Sequence, residues 1–258
     1  MATIIKSRLI HFPHGFSTRK GGISNGIYES LNLGMTRGDN VMHVKRNWQI
    51  FLSECGIGTW DFVCGKQVHG NNVHIATHEN AGPAYGHDHP IEADGFVTSE
   101  PGVPLAIFST DCVPILLADE TNGVCGAVHC GWRSTVADIE KVAIDKMVSL
   151  GANPGNIRAA IGPAIGKCCF EVGEEVVDGI LNLVGRNRSD LYTNSKNAGK
   201  YMLDLPDAVK ARLIMLGIAP SYIETIYECT MCNPGMYWSH RYTGGKCGSQ
   251  ASIIMIPG

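Results

Sequence analysis

The sequence predicts a mixed protein, α/β or α+β, built from layers of sheet and helix. Segments with helix-capping residues alternate with short apolar runs of strand length. Several of these runs are unbroken rather than alternating, which is typical of strands covered on both faces. No internal repeat or Pro/Ser-rich linker divides the 258 residues, so we expect a single domain over 1–258.

Helix signals occur in four segments. The first begins at Asp39 or Asn40, whose side chains are suited to capping a helix, and ends at Gly56. The last carries Pro206 in its first turn, where the missing N–H of proline costs nothing. The predicted helices cover residues 39–56, 135–151, 173–185 and 205–217.

Strand signals occur in seven apolar runs. Two of these runs are joined by a turn that contains Asn122-Gly123, a strong signal for a β-hairpin. In an antiparallel hairpin the start of the first strand lies beside the end of the second, so Cys112 and His129 are predicted neighbours. The predicted strands are 73–77, 95–99, 104–109, 114–119, 124–130, 157–162 and 251–256.

The composition excludes several classes of protein. The net charge is −3 and the basic residues are scattered, so no basic stripe favours nucleic acid. No apolar run approaches the roughly 18 residues of a membrane span, and the N-terminus lacks the features of a signal peptide. We therefore expect a cytoplasmic protein without nucleic-acid or membrane partners.

Ten cysteines in 258 residues are too sparse for a disulfide scaffold. Five of them stand in apolar or glycine-flanked surroundings, and we interpret these as small buried hydrophobic residues. That group comprises Cys55, Cys64, Cys125, Cys130 and Cys168.

The pairing of Cys112 with His129 allows two kinds of site. The imidazole could lower the pKa of the thiol and create a nucleophile. Alternatively both side chains could bind a metal, and a third ligand such as His69 in "KQVHG" would favour that interpretation. A His/Cys/His set leaves one tetrahedral position open, as in catalytic zinc sites. No local spacing joins His69 to the other two residues.

Two further cysteine pairs are weaker candidates. Cys229 and Cys232 form a C-x-x-C motif without a second such motif, so we interpret them as packed thiols or as a redox pair. Cys168 and Cys169 are adjacent, and a disulfide between neighbours would be strained, so these are interpreted as packing residues.

Two glycine-containing loops carry arginines that are suited to an anion. The loop "GFSTRKGGISNG" contains Arg19, although it matches neither the P-loop nor the dinucleotide fingerprint. The phrase "GWRST" runs into a helix, where Arg133 and unpaired backbone N–H groups could hold a phosphate. The competing interpretation of that phrase is a turn followed by a capping Ser134 or Thr135.

Six phrases together resemble the signature blocks of the laccase-domain family, also called polyphenol oxidoreductases and zinc-dependent purine nucleoside phosphorylases. The phrases cover the chain from about residue 10 onwards and occur in the family's order. They are "GFSTRKGGISNGIYESLNLG", "KQVHG", "DGFVTSEPGVPLAIFSTDCVPILLAD", "GAVHCGWRST", "AAIGPAIGKCCFEVGEEV" and "CTMCNPGMYWSHRYTGGKCGSQ".

The resemblance implies a single-domain α/β/β/α sandwich of the α+β class with mixed sheets. It implies that His69, Cys112 and His129 bind one catalytic zinc. It further implies phosphorolysis of adenosine, inosine, guanosine and methylthioadenosine, with adenosine deamination as a side activity. An editing role in peptidoglycan precursor synthesis is ascribed to some members.

Within that function, arginines are the expected phosphate ligands because their guanidinium groups present a fork to oxyanions. The candidates are Arg19, Arg133 and Arg241. Deamination also requires a proton shuttle, for which the candidates are Asp94, Asp111 and Glu171.

We consider three rival functions. A metal-free hydrolase would use Cys112 as nucleophile and His129 as base on an amide such as a peptidoglycan precursor. A multicopper laccase needs several H-x-H pairs, whereas the chain has only His87-His89, and we reject it. A non-enzymatic zinc-stabilised domain would close the metal with a fourth ligand, such as His74 or Cys130.

Overall fold

The computed structural model describes residues 2–83 and 91–258. Within these ranges the helices α1 to α6 are Val41–Cys55, Trp132–Val136, Ile139–Ser149, Glu174–Val184, Leu205–Met215 and His240–Thr243. The strands β1 to β15 are Ile4–Ile5, His14–Ser17, Asp61–Phe62, Val73–Ile75, Gly82–Pro83, Gly95–Thr98, Leu105–Ser109, Val113–Asp119, Val124–Cys130, Arg158–Ile161, Glu171–Gly173, Tyr192–Asn194, Lys200–Leu203, Ile223–Thr225 and Gln250–Ile254.

Two large sheets form the centre of the fold. The six-stranded sheet has the order β14-β10-β8-β9-β6-β4. Its four inner strands pair in antiparallel fashion, whereas β14 and β4 add at the edges in parallel. The four-stranded sheet, β1-β2-β15-β7, is antiparallel throughout. The larger sheet is therefore mixed, as expected.

The alternation of side chains along β8 shows how the layers stack. Ile115 and Leu117 point to an apolar cluster that also contains residues of α3, α4 and α5. Leu116 points to the opposite face, into a cluster shared with Phe16 and Ile107 of the four-stranded sheet. Successive side chains of a strand point to opposite faces, and both faces of β8 are covered by apolar clusters. This explains why its sequence is an unbroken apolar run.

The outer face of the four-stranded sheet is covered by α1. Its residues Trp48 and Phe51 pack in a third cluster with Ala106 of β7 and Ile253 of β15. The order of layers is therefore helix, four-stranded sheet, six-stranded sheet, helices. The α/β/β/α arrangement of the α+β class is confirmed.

Three of the four predicted helices are confirmed nearly to the residue. In α1 the Asn40 side chain accepts a hydrogen bond from the Met42 N–H, and Gly56 ends the helix in the left-handed conformation. The helices α4 and α5 fall inside their predicted ranges, with Pro206 in the first turn of α5.

The predicted helix over 135–151 is wrong as a single element. Helix α2 begins at Trp132, and the chain breaks at Asp138, which has a φ of 63°, before α3 begins. The Asp138 carboxylate accepts two hydrogen bonds from the Arg212 guanidinium of α5, at 2.8 and 2.6 Å. We attribute the break to this tertiary ion pair, which a local helix pattern does not reveal.

Each of the seven predicted strand regions contains a strand, and the hairpin of β8 and β9 is confirmed. Its turn includes Gly123 in the left-handed region, with a φ of 65°. Pro114 lies opposite His129 in the register, so Cys112 stands next to the end of β9.

Residues 84–90 include His87 and His89, so the H-x-H pair lies outside the described residues. In the described part of the chain, no helix has the length and apolar character that crossing a membrane requires.

The interior between the two sheets is expected to dominate stability. Replacing Leu116 by Ala should lower the free energy of unfolding by about 2–5 kcal/mol, because a fully buried side chain leaves a cavity. Urea unfolding measures the change. Val148→Ala on α3, where the side chain is 44% exposed, is the matched control and should change the stability by less than about 0.5 kcal/mol. Equal losses in both variants would contradict this layered core.

Candidate active site

Three potential metal ligands converge at one end of the β8–β9 hairpin. Cys112 directly precedes β8, His129 is on β9, and His69 comes from the loop before β4. The Cys112 Sγ lies 3.8 Å from the His69 Nε2, and the rings of His69 and His129 are 4.9 Å apart. One ligand atom from each residue lies within 4.8 Å of the others. The structure therefore brings the predicted triad together.

The carboxylate of Asp94 organises this triad from behind. It is fully buried and accepts hydrogen bonds from the backbone N–H groups of Val68, His69 and Gly70 at 2.8–3.1 Å. It also lies 2.9 Å from the His129 Nδ1. Because a carboxylate can only accept, Nδ1 carries the proton and Nε2 is left as the ligand atom.

Backbone conformation adds to the positioning. His69 has a φ of 59° and Asp111 a φ of 85°, which side-chain-bearing residues rarely adopt. Such conformations persist where the surrounding contacts over-determine them, commonly at functional sites. Gly131 contributes by its lack of a side chain. A Cβ there would lie 2.8 Å from the His69 ring and 3.4 Å from the Cys112 Sγ.

The electrostatics of the site favour an ionised thiol. Burial raises the pKa of Cys112, but contacts with His129 and His69 outweigh it and bring the pKa to about 6. For His129 burial lowers the pKa, whereas the neighbouring thiolate and Asp94 raise it to about 9. Deprotonated sulfur and a fixed imidazole are what a soft or borderline metal ion requires.

The ligand set fits a zinc ion with an open coordination position. Two imidazole nitrogens and one thiolate are usual zinc donors, and catalytic zinc sites keep the fourth position for water or substrate. Among the described residues no further His, Cys, Asp or Glu joins the triad. Cys130 is buried in the cluster on the helix side of β9, and His74 lies 3.3 Å from the Asn80 Oδ1. Neither residue closes the site.

The triad opens into a cavity of about 970 Å³, large enough for a small-molecule substrate. Its walls combine aromatic rings with cationic and amide groups. The lining includes Arg37, Lys66, Gln67, Phe108, Trp132, Arg133, Ile165, Phe170, His240 and Arg241.

Two of the three predicted phosphate-binding arginines line this cavity. The Arg133 guanidinium stacks over the Trp132 ring at 4.3 Å and makes no hydrogen bond or ion pair with any described residue. Arg241 donates to the Glu171 carbonyl at 3.2 Å and also lines the cavity.

Arg19 is not among the cavity-lining residues. Its guanidinium donates to the carbonyl oxygens of Glu29 and Pro234 and stacks over the Trp238 ring at 3.9 Å. With its donors engaged in this way, Arg19 joins two loops of the fold.

The three candidate proton shuttles occupy different places. Asp94 positions His129, as described above. Asp111 lines the cavity, but its two carboxylate oxygens accept hydrogen bonds from the Thr230 hydroxyl and the Arg241 N–H. Glu171 does not line the cavity and accepts hydrogen bonds from Ser195 and Asn197.

Sequence reasoning missed two features of the site. Arg37 lines the cavity although it stands in an unremarkable turn with no motif around it. Gln67 belongs to the quoted "KQVHG", and its amide pairs with the backbone N–H and carbonyl of Phe108 at 2.6 and 2.7 Å. The Gln67 side chain thus makes the hydrogen bonds that the backbone of a neighbouring strand would make. The sequence contains no pattern that predicts such a contact.

Comparison with known proteins identifies the family. The family described as "Multi-copper polyphenol oxidoreductase laccase" matches residues 13–257. A purine nucleoside phosphorylase of Deinococcus radiodurans is 35% identical over 254 residues, which cover 98% of this chain and 93% of the relative. The adenosine deaminase RL5 of an unknown prokaryotic organism is 31% identical over 238 residues, covering 90% of each chain.

A solved structure agrees with these matches. The crystal structure of YlmD from Geobacillus stearothermophilus superposes with a TM-score of 0.88 at 31% identity, covering 95% of this chain and 92% of that one. The chain therefore belongs to the multi-copper polyphenol oxidoreductase laccase family.

Proposed function

We propose that the protein is a zinc-dependent purine nucleoside phosphorylase acting on adenosine, inosine, guanosine and methylthioadenosine, and that residues 1–258 act as one domain. The observation that carries the proposal is that one cavity holds the open His69–Cys112–His129 triad and Arg133, which pairs with no described residue. Relatives at 31–35% identity are named purine nucleoside phosphorylase and adenosine deaminase, which supports nucleosides as the substrate class.

In this proposal His69, Cys112 and His129 hold the zinc ion. Zinc supplies Lewis-acid chemistry toward a substrate atom when bound. Asp94 keeps the proton on the His129 Nδ1 and fixes the loop of His69, so both rings are oriented before substrate arrives.

Phosphate must be held near the sugar, where it attacks C1′ as the purine leaves. Arg133 is the best placed cation, because its guanidinium lines the cavity without a partner among the described residues. Arg241 is a second phosphate ligand, held in place by its backbone N–H bond to Asp111. Arginine side chains offer the charge-assisted hydrogen bonds that bind oxyanions most strongly.

The purine ring requires an apolar, flat environment. Phe108, Ile165 and Phe170 line the cavity and provide it. Burial between such side chains also excludes water, which would otherwise compete with phosphate for the sugar.

Hydrolytic deamination of adenosine is the second proposed activity. It is supported by the relative named adenosine deaminase RL5. Asp111 and His240 both line the cavity, and they are the candidates for the proton transfers that deamination requires.

The alternative is a metal-independent hydrolase or amidase that edits peptidoglycan precursors. The lowered pKa of Cys112 beside His129 supports it, because that pair resembles a thiolate–imidazolium nucleophile. The two functions differ in their need for metal and phosphate.

Cys112→Ala should remove zinc and reduce phosphate-dependent release of hypoxanthine from inosine by about 100-fold or more, because the thiolate ligand is lost. Cys130→Ala is the matched control, since its side chain points to the helix-side cluster, and it should keep both properties. Metal analysis and the inosine assay with and without phosphate make the comparison. A metal-free wild-type protein that cleaves an amide and no nucleoside would favour the hydrolase.

Asp94→Asn should weaken zinc binding by about 10- to 100-fold, because an amide keeps only one of the two oxygens that three backbone N–H groups and the His129 ring need as acceptors. Zinc competition with a chromogenic chelator measures the affinity. Asp119→Asn is the control, because Asp119 is equally buried and accepts backbone N–H groups at the far end of the same hairpin. Equal zinc affinities in the two variants would contradict the role given to Asp94.

Arg133→Ala should raise the KM for phosphate by about 10- to 100-fold, because losing one charge-assisted hydrogen bond weakens binding by about that factor. The KM for inosine should stay nearly unchanged. Arg133→Lys should recover part of the loss. Arg46→Ala, on the exposed face of α1, is the control. An unchanged phosphate KM in Arg133→Ala would remove this residue from the phosphate site.

A further inference from the structure

Four cysteines from two distant parts of the sequence meet outside the cavity described above. Cys168 and Cys169 lie in the tight turn after β10, where the N–H groups of Cys169 and Phe170 both bond to the Gly166 carbonyl. Cys229 and Cys232 follow β14. An isolated parallel bridge between Ala164 and Cys229 joins the two segments. The interpretation as packed thiols is wrong for Cys168 and Cys232, which are exposed. The alternative interpretation of Cys229 and Cys232 as a redox pair stays a prediction.

The sulfur atoms have the spacing of ligands around a single ion. Cys232 Sγ lies 3.5 Å from the Cys168 Sγ and 3.4 Å from the Cys169 Sγ. All four sulfurs lie within 4.8 Å of one another. With Zn–S bonds of about 2.3 Å, four tetrahedral thiolates stand about 3.8 Å apart. The cluster needs only small side-chain adjustments to reach that geometry.

The backbone around the cluster is suited to thiolates. The Gly166 N–H donates to the Cys229 Sγ at 3.2 Å, and the Cys232 N–H is a second hydrogen-bonding partner of this sulfur. A Cβ at Gly166 would lie 3.2 Å from the Cys229 Cβ and 3.4 Å from the Cys168 Sγ. The glycine thus allows the backbone to approach the sulfurs closely, and N–H groups aimed at sulfur stabilise its negative charge.

We propose that Cys168, Cys169, Cys229 and Cys232 form a second metal site that binds one zinc ion through four thiolates. Four protein ligands leave no open position, so this zinc is structural, unlike an ion at the His69–Cys112–His129 triad. All four cysteines are free thiols in the structure, and no disulfide joins any two of them. An iron–sulfur cluster distributes its four cysteines over two or four iron atoms and therefore holds cysteines on different irons further apart than these sulfurs are.

The site acts on the cavity through the two segments that it joins. The first segment carries Ile165, whose N–H donates to the Asp111 carbonyl at 2.8 Å. The second carries Thr230, whose hydroxyl donates to the Asp111 carboxylate at 2.6 Å. Asp111 precedes the ligand Cys112 and also accepts the Arg241 N–H. The thiolate zinc therefore fixes the wall of the cavity that presents Asp111.

Metal analysis of cysteine variants tests the second site independently of the first. The full chain, produced with zinc and without added chelator, is compared with a Cys229→Ser/Cys232→Ser variant and with Cys112→Ala. We expect the double variant to hold one zinc fewer per chain than the wild type, whether or not the triad is occupied. Cys112→Ala should keep the thiolate zinc. Cys247→Ser is the control, because serine can still donate to the Ser239 carbonyl as Cys247 does.

Cobalt substitution gives a readout that does not depend on activity. Co²⁺ bound by four thiolates gives intense visible absorption and strong near-ultraviolet charge-transfer bands, whereas the triad supplies one thiolate. We expect these bands in the wild type and in Cys112→Ala, and their loss in the double variant. Equal metal content and equal spectra in the wild type and the double variant would overturn the proposal. Two missing thiols in a titration of the unfolded, unreduced wild type would also overturn it, in favour of a disulfide.

Discussion

The buried Asp94 carboxylate is the interaction on which the geometry of the site depends. A charged group removed from water must be compensated locally, and here three backbone N–H groups and one imidazole N–H surround it. Those donors come from two different segments, the loop of His69 and strand β9. The requirement to satisfy one carboxylate therefore sets the distance between two ligands that are 60 residues apart in the chain.

Local sequence patterns were sufficient for two of the three residues of the triad. The Asn122-Gly123 turn and two apolar runs determine a hairpin, and a hairpin determines that Cys112 and His129 are neighbours. His69 has no such relation to either residue, because its position depends on a loop closed by Asp94. Family resemblance, not spacing, assigned it to the triad. The helix break at Asp138 escaped prediction for the same physical reason, since its partner Arg212 lies on a different helix.

The cysteine cluster shows a second kind of information that a single sequence does not carry. Each pair alone is ordinary, and neither spacing specifies a metal site. Their meeting depends on β10 and β14 lying side by side in parallel, a pairing between strands separated by about 60 residues. For Arg19 the sequence suggested a function that its contacts do not favour. A cation in a glycine-rich loop suggested an anion site, but its guanidinium donates to backbone carbonyl oxygens. Residue type indicates the chemistry that is available, and tertiary contacts decide which partner receives it.

The four-stranded sheet has a consequence for how the protein is made. Strand β15 lies in its interior, hydrogen-bonded to β2 on one side and to β7 on the other. During synthesis β2 and β7 leave the ribosome long before β15 does. Until β15 is available, the edges that it pairs with stay unpaired and one apolar face of the sheet is only partly covered. Such edges are sites where a nascent chain pairs with the wrong partner. Folding must therefore be completed late, by insertion of a strand between two others, and the long sequence separation of these contacts makes that step slow.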